Sequence, residues 1–288
     1  MIARRNNATA VIVLLLACGQ EPPGILPPAD QLHFPTGIAR VPDTSNARFL
    51  VVVSSDYDNR YNAGHLVSLD VARLFALIPP SDEAIVRPDF GDAIVHGAST
   101  SAPLRIHPFG GDIAGVADAA GAGRLFVASR GRSRLTLVDI DAKGALSCGA
   151  DGALPIAAID CTEGFMLETD FTDPYAVAVA PIGTSSAVIA VGHIATEKAG
   201  GSFVGDVGVV SVDDFVERVE REERGMELDD PMTHYTSSAL GAGVAGLAYV
   251  PGSATGTTAA QHGAFLSLSF GISARAPTLT ELAIVDDD

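Results

Sequence analysis

Four times along this chain a short aliphatic run ends on aspartate: Leu66-Val67-Ser68-Leu69-Asp70, Leu135-Thr136-Leu137-Val138-Asp139, Val209-Val210-Ser211-Val212-Asp213 and Leu282-Ala283-Ile284-Val285-Asp286. The closing aspartates are 69, 74 and 73 residues apart. Two further runs precede each one in a fixed order. The first reads Gly37–Val41, Gly115–Ala119, Ala176–Ala180 and Gly246–Val250; the second reads Phe49–Ser54, Leu125–Ser129, Ala187–Val191 and Ala264–Leu268. Turn residues separate them: Pro42-Asp43, Gly121-Ala122-Gly123, Pro181-Ile182-Gly183 and Pro251-Gly252. Short β-branched and aliphatic runs bounded by such turns read as strands. A small unit recurring at a fixed period cannot bury its own faces and must stack on its copies.

A three-strand unit repeated four times predicts an all-β fold of about four blade-like repeats, a β-propeller over residues 31–288, each blade burying its faces against its neighbours. The motif order resembles the YVTN and NHL-like propellers. Pro35-Thr36-Gly37-Ile38-Ala39, Pro42-Asp43 and Val67-Ser68-Leu69-Asp70 carry the resemblance best, followed by Arg124–Ser129 and Leu137-Val138-Asp139. The Tyr-Val-Thr-Asn core is absent, and the period exceeds the 40–45 residues of a compact blade, so the excess falls to long loops and the fourth strand. A β-sandwich or β-solenoid is the alternative. The fourth unit stops after its third strand: either a strand near Gln31-Leu32-His33-Phe34 completes it, or the chain is a shortened form of a longer propeller.

One or two short edge helices are expected. Asp213-Asp214 would cap a helix over Phe215–Arg224, with Glu217–Arg221 and Glu220–Arg224 spaced as favourable pairs and Phe215, Val216 and Val219 facing inward. A shorter helix would follow Asp70, with Val71, Leu74 and Phe75 inward and Pro79-Pro80 ending it.

The N-terminus supplies an address. Arg4-Arg5 precedes the uncharged run Ala8–Ala17, too short for a bilayer span of ~20 apolar residues and matching a secretory signal. Leu15-Leu16-Ala17-Cys18 resembles the lipobox of bacterial lipoproteins. That resemblance implies cleavage of residues 1–17 and lipidation of Cys18; Gly19 leans toward the outer membrane, with the body periplasm-facing or surface-exposed. Residues 18–30, with four prolines, would form a semi-rigid tether.

The formal charge of −17 becomes −19 without Arg4 and Arg5, which argues against nucleic acid. The expected partners are the membrane, through the lipid, and an envelope protein or glycan. Of three cysteines, Cys148 and Cys161 remain after lipidation, an even number that suggests a disulfide in an oxidising compartment.

No catalytic constellation stands out. Gly241-Ala242-Gly243-Val244-Ala245-Gly246 spells a dinucleotide fingerprint, but a strand follows where a helix is required. The Asp56–Gly64 loop starts like a calcium site through Asp56, Asp58 and the neighbouring Asn59, yet Arg60 and Tyr61 stand where an oxygen ligand and a glycine belong. Its plain reading is a long hairpin bonded to its own backbone, with Ca²⁺ the only cofactor it suggests. The seven histidines, His33, His65, His96, His107, His193, His234 and His262, form no local metal motif. If the fold is a propeller, the loop after the second strand could bring His193, beside Glu197 and Lys198, toward the Asp56–Asn62 loop. The leading expectation is a non-enzymatic binding or scaffold module; the alternative is a metal-assisted hydrolase or lactonase-like propeller.

Overall fold

The computed structural model describes residues 25–77, 90–95, 103–148, 160–162, 166–168, 173–182, 186–198, 202–222, 232–237, 243–251, 264–269 and 279–283. Four antiparallel sheets follow one another along the chain in a propeller arrangement. Blade 1 contains β1 (Pro35–Val41), β2 (Phe49–Ser54) and β3 (Gly64–Asp70), with β4 (Ile94–Val95) and β5 (Leu104–Ile106) both pairing with β3. Blade 2 contains β6 (Gly110–Ala117), β7 (Gly123–Ser129) and β8 (Arg134–Ile140), with β9 (Leu146–Cys148) and β10 (Met166–Glu168) both on β8. Blade 3 is β11 (Pro174–Ile182), β12 (Ser186–Lys198), β13 (Ser202–Ser211) and β14 (Thr233–Ser237). Blade 4 is β15 (Val244–Val250), β16 (Ala264–Ser269) and β17 (Leu279–Ala283).

The long period has a structural cause. In blades 1 and 2 the edge strand is split into two halves. β4 pairs with Ser68-Leu69 while β5 pairs with Gly64–Leu66. β9 pairs with Val138–Ile140 while β10 pairs with Arg134–Thr136. The chain between the halves supplies part of the extra length, and the connections after the third strands, 71–93 in blade 1 and 212–232 in blade 3, supply more.

Each blade opens on the same backbone device. Register shifts fall at Pro35/Gly37, Gly110/Ile113, Pro174/Ala176 and Val244/Gly246, bulges at the start of every first strand. In the first three blades the residue before that strand, Phe34, Phe109 or Asp173, has positive φ. Its carbonyl accepts from the amide of the residue that follows the ladder between first and second strands, Ser55, Arg130 or Ile194. Neighbouring first strands meet at these bulges. A side chain at Gly37 would strike the Gly111 carbonyl at 2.8 Å, and one at Gly111 the Tyr175 carbonyl at 2.5 Å.

The core lies between blades, and this explains why the strands read as continuous apolar runs rather than alternating ones. Val51, Val53 and Leu66 of blade 1 pack against Ile113, Leu125 and Val127 of blade 2. Phe126, Leu135 and Leu137 turn the other face of blade 2 toward Ile189 and Val191 of blade 3. Ala176, Ala190 and Val207 meet Val244 and Phe265 of blade 4. The first strands line an axial channel of about 450 Å³.

Cys148 and Cys161 form a disulfide with Cα atoms 5.4 Å apart. Both are fully buried in the blade 1–blade 2 core. Cys161 also donates its amide to the Arg105 carbonyl on β5, so the crosslink ties the insertion between β9 and β10 to both blades.

Among the described residues there are two short α-helices, α1 (Val71–Ala76) and α2 (Val212–Glu222). Helix α2 buries Phe215, Val216 and Val219 as expected, with Phe215 edge-on to Phe126 at 5.5 Å. Its start differs from the expectation. The helix begins at Val212, and the Ser211 hydroxyl accepts from the Asp214 amide while donating to the Asp214 carboxylate, a reciprocal cap. Helix α1 is capped by Asp70, which accepts from the Arg73 amide. None of its residues is fully buried, and Phe75 is 66% exposed rather than inward; one and a half turns present too narrow a stripe to cover it. Pro79-Pro80 lies outside the described residues, as does the whole signal, Cys18 and most of the tether.

Residues 31–34 do not complete blade 4, whose sheet has three strands among the described residues. They belong to blade 1, where Leu32 packs on Val52 and Val67 and the His33 amide donates to the Ser54 hydroxyl.

Candidate functional site

The last residue of each blade's second-strand ladder occupies one register position. It is Ser54 opposite Pro35, Ser129 opposite Gly110, and Ser269 opposite Val244. In blade 3, opposite Pro174, it is His193. All four side chains are buried, so blade 3 places an imidazole where its neighbours place a hydroxymethyl.

Across the next ladder His193 faces Asp206 on β13, and cross-strand partners project to the same side. One step outward, His234 on β14 faces Gly208, and Gly208 shares a face with Asp206 because strand side chains alternate. A Cβ at Gly208 would stand 2.9 Å from Met232 Sδ and 3.1 Å from His234 Cε1. The missing side chain gives the His234 ring its space, from which it reaches diagonally to Asp206.

Both imidazoles address one carboxylate oxygen. His193 Nδ1 lies 3.0 Å and His234 Nδ1 2.8 Å from Asp206 Oδ2. The rings are 5.9 Å apart, centre to centre. His193 and Asp206 are completely buried and His234 is partly exposed. Burial pushes the Asp206 carboxyl upward, but hydrogen bonds and charge from the two histidines outweigh it, and the pKa lies below the ordinary value. Asp206 Oδ1 is buried and accepts no hydrogen bond among the described residues. One ligand atom from each of the three residues falls within 4.8 Å of the others. Among the described residues this is the one group of three or more such side chains at metal-binding range.

The Asp56–Asn59 loop lies in blade 1 and bonds mainly to its own backbone, although Asp56 Oδ2 is buried and accepts no hydrogen bond among the described residues. Asp56 Oδ1 accepts from the Tyr61 amide, Asp58 Oδ1 from the Arg60 amide, and the Asn59 amide donates to the Asp56 carbonyl. Asp56 and Asn59 both have positive φ. Burial first, and then Asp58, raise the Asp56 carboxyl above its ordinary value. Beside it Tyr61 OH contacts His33 Nε2 at 3.2 Å, and His65 Nε2 contacts the Gln31 carbonyl at 3.1 Å. Among the described residues His193 pairs with Asp206 on β13, and its ring neighbours His234 on β14, both in its own blade.

The axial channel has a different character. Its wall is largely Gly, Ala, Val and Ile. Of its carboxylates, Asp43 pairs with Arg40 and Asp112 accepts from the Ile113 amide. At one end the channel opens into a hollow of about 650 Å³ between the turns at Pro42, Pro181 and Pro251. The glycine-rich run 241–246 ends inside β15, a strand and not a helix, which removes the dinucleotide reading. A side chain at Gly243 would collide with the Ile194 carbonyl, so this glycine serves close packing of blades 3 and 4.

No protein-family model matches the chain, and no curated protein matches it.

Proposed function

We propose that this is a lipid-anchored β-propeller of the bacterial envelope, held at the outer membrane through Cys18 and acting as a binding or scaffold module for an envelope protein or glycan. One observation carries the reading. The pairing of Cys148 with Cys161 accounts for two of three cysteines, leaving Cys18 at the end of the signal-like run. A buried disulfide suits an oxidising compartment, and lipidation gives Cys18 a purpose there. Two or more acyl chains anchor durably where one does not. The binding role is supported by an axial channel of small aliphatic residues in which the carboxylates do not gather. The enclosed His193–Asp206–His234 group sits on the second to fourth strands of one blade, away from the channel, which weighs against a hydrolase acting at the axis.

The test is fractionation of cells expressing the full chain beside Cys18→Ala. The wild type should sediment with membranes and carry a fatty-acyl mass increment on Cys18, and the variant should be soluble in the periplasm or retained as an uncleaved precursor. Equal membrane recovery of both, with no acyl increment, would remove the anchor.

A further inference from the structure

We infer that His193, Asp206 and His234 form a binding site for one divalent transition-metal ion of the zinc class, which clamps the second, third and fourth strands of blade 3. This goes beyond the envelope role and does not depend on it. The ligand set is two imidazoles and one carboxylate, a combination suited to zinc-class ions, whereas calcium and magnesium take oxygen ligands. The geometry is close to what such an ion needs. Ligand atoms roughly 2.0–2.1 Å from a tetrahedral metal are about 3.3–3.4 Å apart along an edge; the two nitrogen–oxygen separations are 3.0 and 2.8 Å, so the side chains would open by about half an ångström to admit the ion.

Two further observations point to a ligand rather than to an ordinary polar contact. Asp206 Oδ1 is buried and takes no hydrogen bond among the described residues, an expensive arrangement for a carboxylate unless another positive partner is supplied. Gly208 keeps open the space through which His234 reaches the group. The partial exposure of His234 gives an ion a way in from the blade edge. Three protein ligands leave a fourth position for water or a group from a partner, as in open zinc sites.

The full-length protein, purified in detergent and stripped with chelator, should take up one equivalent of Zn²⁺ in competition with a chromophoric chelator. Co²⁺ in its place should give a visible absorption band from mixed nitrogen and oxygen ligation. His234→Ala, at the partly exposed edge, should weaken Zn²⁺ binding by at least about tenfold, since even supporting residues around metal ligands cost that much. His33→Ala, in the blade 1 cluster, should bind as the wild type does. Should Asp206→Asn fail to fold, His234→Gln beside His234→Ala still decides the matter. Absence of stoichiometric Zn²⁺ binding, equal affinity in wild type and the His234 variants, or an equal loss in His33→Ala would each overturn the site. Anchoring plays no part in this readout, so a soluble but zinc-binding chain would sink the envelope proposal alone.

Discussion

His193 stands in blade 3 where Ser129 stands in blade 2, each the last residue of its second strand to pair with the first and each fully buried. The repeat therefore supplies the site's geometry before any functional residue is chosen. The same offset across the next ladder gives Arg134 in blade 2 and Asp206 in blade 3. Blade 3 differs from its neighbour by a pair of substitutions at equivalent positions, plus a continuous fourth strand that brings in His234.

Gly208 should be the position that holds this arrangement open. Gly208→Val puts branched carbon into space occupied by Met232 Sδ and the His234 ring. Overpacking of this kind costs about 1–3 kcal/mol, and the displaced ring would no longer reach Asp206. Thermal unfolding should show a Tm several degrees lower, and the metal response should fall with it. A variant as stable as the wild type, with unchanged Zn²⁺ affinity, would show that His234 does not depend on the gap.

What could be read in advance follows from how propellers bury surface. Strands such as Val51–Val53 and Leu135–Val138 are covered on both faces, so their aliphatic runs are uninterrupted and recur visibly. The edge strands β4, β5, β9 and β10 are only two or three residues long and carry no pattern to find. The His193–Asp206 pairing was within reach of hairpin register, because both residues flank one connection. His234 was not, since its position depends on a fourth strand that the repeat did not announce. The start of α2 differs from its acidic signal for a related reason: acidic residues at 213 and 214 mark a helix N-terminus, but the hydroxyl of Ser211 does the capping.

The disulfide should be a principal staple of the blade 1–blade 2 interface. Its residues are 13 apart in sequence, and closing a loop of that order stabilises by about 3 kcal/mol in the chain-entropy account. Cys148→Ala with Cys161→Ala should lower Tm by several degrees under oxidising conditions, and reductant should then have no further effect on the variant. A wild-type Tm insensitive to reduction would contradict this role.

Phe215 should matter more than an edge helix ordinarily would. It is fully buried on Phe126, Leu135 and Leu137, so α2 seals the outer part of the blade 2–blade 3 core. Removing such a ring costs about 3–5 kcal/mol. Phe215→Ala should unfold at markedly lower denaturant, while Phe75→Ala, on the exposed side of α1, should leave the midpoint nearly unchanged. Equal effects from the two would mean that the helices are interchangeable decorations.

Asp112 gives the pH dependence its clearest sign. It stands on the channel wall, where burial raises its carboxyl above the ordinary value despite hydrogen bonds from the Ile113 and Val177 amides. A carboxyl raised on folding favours the folded state when protonated, and that contribution disappears as pH rises through its folded-state value. At neutral pH the wild type therefore carries the cost of a desolvated charge. Asp112→Asn keeps an acceptor oxygen for the amides and removes the charge. It should raise stability at pH 7, and the gain should shrink toward nothing below about pH 4, where the acid is protonated in both states. Denaturant midpoints across that range would measure it. A variant less stable at pH 7 than the wild type would mean that the ionised carboxylate is compensated by its two amides and contributes to joining β6 to β11.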